Sequence, residues 1–278
     1  MAVTLGSGRL RRIAADDGLI RTFSQEYVRS DLGGRSLALT AQYALSAAPV
    51  LVAAAVLVRR LRHADLMSLL TALFGLHGVA RDDVRELFRA AQDADLGSQV
   101  LGLILGVLFA TGAAATLQRS LEVFWHVRKA PLRAMWRHLV WVCALVPFFT
   151  LSIRLATVTQ KMTITPVVDA LMAPVGLGIG SAIFFWWSQH FLLRGRIPWR
   201  ALLPGSLLTG ASLMVLSLLT QLIASSEIAE DVTNYGLVAA SFALLVEVWL
   251  MSSVLLLATL IGAILHRRKH PDPSTITE

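Results

Sequence analysis

Residues 235–265 read YGLVAASFALLVEVWLMSSVLLLATLIGAIL and run directly into His266-Arg267-Arg268-Lys269. The stretch carries a single charge, Glu247. A surface helix of a soluble domain keeps its apolar residues to one stripe, and this one is apolar all round. About 20 apolar residues in helix cross the ~30 Å hydrocarbon core of a bilayer. A basic tetrad just beyond them marks a cytoplasmic end. The segment therefore predicts a membrane span, long enough to tilt, kink or extend past the core.

The pattern recurs along the chain. Apolar stretches at 37–58, 96–117, 139–158, 167–193, 201–224 and 235–265 predict an all-α polytopic membrane protein with six transmembrane helices. Pro49, Pro147 and Pro174 fall inside spans, where neighbouring helices satisfy the freed carbonyls. The chain is 55% hydrophobic and 15% charged, with mean hydropathy +0.64. Soluble domains carry about 25% charged residues. Cys143 is the only cysteine, which excludes an internal disulfide and a CxxC redox or metal site. The first 36 residues are polar and the first apolar run is too long and too late for an h-region, so no cleavable signal peptide is expected.

Arginine and lysine set the orientation. With the N-terminus inside, segments 1–36, 118–138, 194–200 and the tail 266–278 hold 17 of them and the outer loops hold 7. The bias places both termini in the cytoplasm. It also accounts for the net charge of +7, so no nucleic-acid partner is expected.

Two regions flank the spans. Leu10, Ile13, Ile20, Phe23 and Tyr27 are spaced for one face of an N-terminal amphipathic helix over 8–30, with Arg9, Arg11, Arg12, Arg21 and Arg29 around it. Such a helix either lies along the anionic lipid surface or packs on the bundle. The first outer loop, 59–95, balances six arginines with six acidic residues. It carries Leu66, Leu69, Leu70, Leu73 and then Val84, Leu87, Phe88 at helical spacing, which predicts two short helices.

Ionisable residues within spans are costly and point to function. Glu247 is the deepest. Arg154, near the outer end of the third span, and Asp169, at the start of the fourth, come at similar depth, where a pair between them is within reach. These three form the candidate substrate or proton site, and Gln42, Tyr43, Ser46, His190 and Tyr235 are candidate lining residues of a cavity. The alternative is that Glu247 locks helices together as a hydrogen-bonded acid. Gly102 and Gly106, and the series Gly176, Gly178, Gly180 and Ser181, permit close helix approach. HExxH, GxSxG and P-loop motifs are missing, and His266 and His270 lie among basic residues that repel a metal ion. No catalytic activity, cofactor or metal is expected.

Four segments resemble the YihY/BrkB family of bacterial inner-membrane proteins over nearly the whole chain. They are Ser36 to Pro49 with Gln42, Tyr43 and Ser46; Thr111-Gly112 through Leu117-Gln118-Arg119 to Trp125; Pro198-Trp199-Arg200 to Pro204-Gly205; and Tyr235-Gly236 with Val246-Glu247-Val248-Trp249-Leu250 and Gly262. The resemblance implies six spans in the inner membrane and an envelope or lipid-related transport role. It also implies an apolar stretch where Glu247 stands, which makes that residue particular to this branch. A ribonuclease name attached to the family finds no support here, because Asp16, Asp17, Glu26, Asp31, Glu122, Asp272 and Glu278 form no compact metal-clamping cluster in sequence. The resulting expectation is a transporter or flippase-like protein for a lipid or amphipathic envelope precursor, with anionic membrane lipids as partners. The alternative is a non-transporting scaffold that assembles envelope proteins, as a homo-oligomer or with other chains.

Overall fold

The computed structural model describes residues 21–61, 96–128, 135–159, 166–224 and 236–269. The expected helices of the first outer loop fall on residues 62–95, outside the described set, as do Tyr235, the first 20 residues and the tail from 270. Among the described residues the chain is all-helical, with a short segment at 21–29 followed by six long helices. These are α1 (Leu32–Leu61), α2 (Leu96–Phe124), α3 (Met135–Thr159), α4 (Pro166–Leu192), α5 (Trp199–Ala224) and α6 (Gly236–Lys269). Four contain stretches long and apolar enough to cross a membrane: Val100–Phe124, Leu171–Leu192, Trp199–Thr220 and Leu245–Lys269. In α3 the described apolar stretch is shorter, Met135–Phe149.

Local chemistry sets the ends of these helices. Pro166 opens α4, where its missing N–H would be unpaired in any residue and its fixed φ suits the first turn. Asp31 accepts the Gly34 N–H at 3.3 Å and caps α1. Two helices end alike. After α2, the N–H of Val127 reaches Glu122 O and that of His126 reaches Val123 O; after α4, Gly195 reaches His190 O and Arg194 reaches Phe191 O. Both are Schellman motifs, with a left-handed residue just past the helix. Glycine is the unstrained occupant of that position, yet His126 (φ 49°) and Arg194 (φ 59°) fill it.

The six helices form a closed ring. Each packs against its neighbours in sequence, and α6 returns to α1. Glycines let two of the contacts draw close. A Cβ on Gly262 would come within 2.6 Å of the Gly205 backbone, and one on Gly210 would strike Gly178 O and Ala182. Thus α5 touches α4 and α6 backbone to backbone, the close approach small residues allow inside a membrane. Within the ring, the last turns of α2 are buried on nearly every side, from Ala113 through Leu117 and Leu121 to Trp125, and they also meet α4 and α6.

Burial is uneven along the bundle axis. The buried residues cluster in the half that holds the start of α1, α3 and α5 and the end of α2, α4 and α6. This is the end rich in arginine. Towards the opposite end, Leu101, Ile104, Leu108, Leu171, Leu219, Phe242 and Leu245 are exposed. Among the described residues the bundle is tightly packed at its basic end.

The glycine contact between α5 and α6 yields a direct test. Gly262→Val places three heavy atoms against the Gly205 backbone. It is expected to cost about 1–3 kcal/mol, as overpacking does, measured as a lower unfolding temperature of the purified protein. Leu265→Val, at an exposed site on the same helix, is expected to leave that temperature nearly unchanged.

Candidate functional site

At the basic end, α2 continues past its apolar run and brings Gln118 and Glu122 onto one face, a turn apart. The Gln118 amide N–H donates to Glu122 Oε1 at 2.8 Å. Its carbonyl oxygen takes a hydrogen bond from His138 Nε2 at 2.8 Å, which draws in the start of α3. Arg196, in the α4–α5 turn, holds Nη2 at 3.9 Å from Glu122 Oε1 and donates from Nη1 to the Arg128 carbonyl at 2.6 Å. The Glu122 side chain is 3% exposed and that of Arg196 31%. A buried carboxylate is tolerated only when its oxygens are paired, and Gln118 and Arg196 supply that pairing.

The same level of the bundle carries further polar links. Trp141 Nε1 donates to Ser188 Oγ at 2.9 Å between α3 and α4, and Gln189 Nε2 donates to Ser206 Oγ at 3.2 Å between α4 and α5. Arg137 Nη1 donates to the Phe191 carbonyl at 2.8 Å. These bonds form a polar belt across the tight end of the bundle.

A second cluster ties the helical segment at 21–29 to the ends of α2 and α6. Glu26 lies 3.6 Å from both Arg267 and His126. The Arg267 Nη1 stands 2.9 Å from the imidazole nitrogens, and Arg268 Nη2 donates to Thr22 Oγ1 at 3.1 Å. Phe23 packs against the core. The described end of the N-terminal amphipathic segment therefore rests on the bundle. Burial holds the His126 pKa below the ordinary 6.5, Arg267 and Arg29 push the same way, and Glu26 opposes them.

The residues singled out from sequence are dispersed. Glu247 lies about 29 Å along α6 from His266, half-buried, with no hydrogen bond or ion pair among the described residues. Eleven residues separate it from Ala258, three helical turns on the same face. Ala258 packs against Gly205, and Glu247 lies beyond that contact towards the other end of α6. Arg154 falls within α3 and Asp169 in the first turn of α4, and both side chains lie outside the described set. Gln42 donates to the Phe109 carbonyl at 3.1 Å and rests on Gly112, joining α1 to α2. Tyr43 packs against the core and Ser46 donates to the Tyr43 carbonyl. His190 is at the α4–α5 turn, its Nδ1 3.1 Å from Ile197 O and its ring stacked on Trp199 at 4.0 Å. Among the described residues, no three His, Cys, Asp or Glu side chains gather as a metal site requires.

Sequence reasoning passed over the polar belt. Glu122 looked like one of several scattered loop carboxylates, because the apolar run ends at Leu117. Its signal was the Gln118–Glu122 spacing of four, continuous with the helix before it.

The family model described as Virulence factor BrkB matches residues 23–277. The chain belongs to the BrkB family. The four segments singled out by resemblance all fall inside the match, and the family together with the apolar helices makes this a membrane protein. No curated protein and no solved structure matches the chain. In this BrkB-family protein the polar belt lies within the matched region, as do Glu26, His126, Arg267 and Arg268 of the second cluster.

Two outcomes check the site. Arg196→Ala removes the ion pair to the buried Glu122 and is expected to cost about 1–2 kcal/mol, less than the ~3–5 of a fully buried pair because Arg196 is partly solvated. The second concerns pH. With its folded pKa below 6.5, His126 binds a proton more readily in the unfolded chain, so stability is lost as pH falls from 6.5 through the folded value. The unfolding temperature is expected to drop over that window, and His126→Gln to flatten the drop.

Proposed function

We propose that this BrkB-family protein spans the bacterial inner membrane six times with both termini in the cytoplasm. In this reading it moves a lipid or amphipathic envelope precursor and carries out no catalytic step. The observation that supports the reading is the sealed basic end of the bundle. The basic half is sealed by the encircled end of α2, the glycine contacts and the belt around Glu122. Glu247 stands half-buried on α6, about 29 Å from His266 and beyond that sealed half. A bundle shut at one face is what one state of an alternating-access cycle requires.

Within that cycle Glu247 takes up a proton or a cationic group, since a carboxylate at this depth gains most from either. Arg154 meets an anionic head group near the outer leaflet. Return to the other state requires the belt at the basic end to open, and its links are side-chain contacts of the kind that exchange between two packings. The description of the family as a virulence factor is in keeping with work in the envelope.

The test is lipid movement in reconstituted vesicles, paired with mass spectrometry of lipids retained by the purified protein. Glu247→Gln is expected to lower the rate by about tenfold or more, the scale of a lost charge-assisted contact, with unfolding temperature preserved. Arg154→Ala is expected to lose the selective retention of one anionic lipid. Absent wild-type movement, together with a bulk-like lipid profile and a lowered unfolding temperature in Glu247→Gln, would assign Glu247 to structure and the protein to scaffolding.

A further inference from the structure

Three elements meet over one carboxylate at the basic end. Glu26, on the segment at 21–29, turns Oε2 to His126 Nε2 and Oε1 to Arg267 Nη2, each at 3.6 Å. Charge-assisted hydrogen bonds run at about 2.7–2.9 Å, so the carboxylate is divided between the two and bonded tightly to neither. His126 stands just past the end of α2, and Arg267 in the last turn of α6. The Glu26 side chain is 16% exposed, against 47% for His126. The acid is largely enclosed, while water reaches the imidazole and can deliver a proton to it.

The third side of this triangle depends on protonation. Arg267 Nη1 lies 2.9 Å from both imidazole nitrogens. A guanidinium has five N–H donors and no acceptor, so it rests only against groups that offer electron density. A neutral imidazole keeps one bare nitrogen, whereas an imidazolium carries two N–H groups and a full positive charge. The contact of His126 with Arg267 therefore suits the neutral ring alone. Glu26 has the opposite preference, because a protonated ring gives it a second cation at ion-pair distance. One proton turns His126 from a partner of Arg267 into its competitor.

The surroundings fix which side chain gives way. Arg29, three residues on from Glu26, adds to the positive field at the ring. From α6, His266 packs its ring on Trp125 and Arg268 donates to Thr22 Oγ1. On α2, Glu122 is engaged by Gln118 and Arg196, and Arg128 follows in the chain. Among the described residues Glu26 is thus the acid within ion-pair distance of the ring. His126 is held at its base by the Schellman motif, whereas Arg267 is 32% exposed on a long stem. Burial, Arg267 and Arg29 all favour the neutral ring and Glu26 opposes them. Withdrawal of Arg267 removes one opponent of the proton and keeps its ally, so by linkage the proton favours the withdrawn arrangement.

We propose that Glu26 changes partner with pH. Above the titration of His126 it holds Arg267 beside the neutral ring; below it, the protonated ring takes the carboxylate and Arg267 swings out to solvent. The end of α6 is then loosened from the segment at 21–29, which stays joined to α2. The exchange is a property of the basic end and stands whether or not the protein moves a lipid.

Double-mutant cycles on the purified full-length protein test it, read as unfolding temperature at about pH 7.5 and about pH 5, on either side of an ordinary imidazole. The variants are Glu26→Gln, Arg267→Gln and His126→Gln, singly and combined. At the higher pH the Glu26–Arg267 coupling is expected to be about 2–4 °C, the shift of one partly buried ion pair in a chain of this size. At the lower pH it is expected to vanish, and a Glu26–His126 coupling of similar size to replace it. With His126→Gln as the background, the Glu26–Arg267 coupling is expected to persist at both.

A Glu26–Arg267 coupling that survives at the lower pH with His126 in place would overturn the proposal. So would one that fades equally in the His126→Gln background. If Glu26→Gln does not fold, Arg267→Gln decides alone. It is expected to lower the unfolding temperature at the higher pH only, and at both once His126→Gln is present; equal losses at both with His126 in place would overturn the exchange.

Discussion

The architecture depends on the backbone contact of α5 with its two neighbours. Inside a membrane, helices gain little from hiding apolar side chains from lipid, and close van der Waals contact must hold them. Gly178 with Gly210 and Gly205 with Gly262 provide it on both sides of α5. Both pairs lie in the buried half of the molecule. Once α4, α5 and α6 are drawn together there, the ring closes tightly enough for α6 to reach α1 and for the last turns of α2 to be enclosed.

Enclosure of α2 has an electrostatic consequence. It carries Glu122 out of solvent, and a carboxylate in that position demands hydrogen-bonding partners. Gln118 supplies one from the previous turn, and Arg196 approaches from the α4–α5 turn across the ring. The amide of Gln118 is then committed, so its oxygen can only accept, which fixes His138 as a donor through Nε2. One buried acid thereby sets the roles of three further side chains on three elements. The seal at this end is specific in geometry as well as tight, and an opening motion would have to exchange the whole set together.

The six helices were legible because apolar runs bounded by arginine leave little else for the chain to do. Helix ends were less so. The apolar run of α2 stops at Leu117, but the helix continues to Phe124 because the ring buries Gln118, Ser120 and Glu122. Hydropathy cannot anticipate the burial of polar residues that pair with one another. Gln42 and His190 were visible as polar residues in apolar surroundings, but their partners are a carbonyl on α2 and a turn beyond α4, and sequence spacing carries no record of contacts between helices. Glu247 was legible as an outlier, and the structure adds that it is half-buried on α6.

The two Schellman motifs connect helix termination to the chemistry of the basic end. A non-glycine residue in the left-handed region costs of order 1 kcal/mol or more, and such strain persists where surrounding structure over-determines it. His126 and Arg194 each bear it, and each side chain belongs to a charged cluster, one with Glu26 and Arg267, the other with Arg137 and Arg196. Glycine would end either helix at lower cost and would contribute no side chain. The left-handed position turns the chain sharply while the helix before it is held by the core, so a side chain there leaves a rigid base in a fixed direction. A titratable or cationic group is thus aimed by the bundle itself, with little left to the loop that follows.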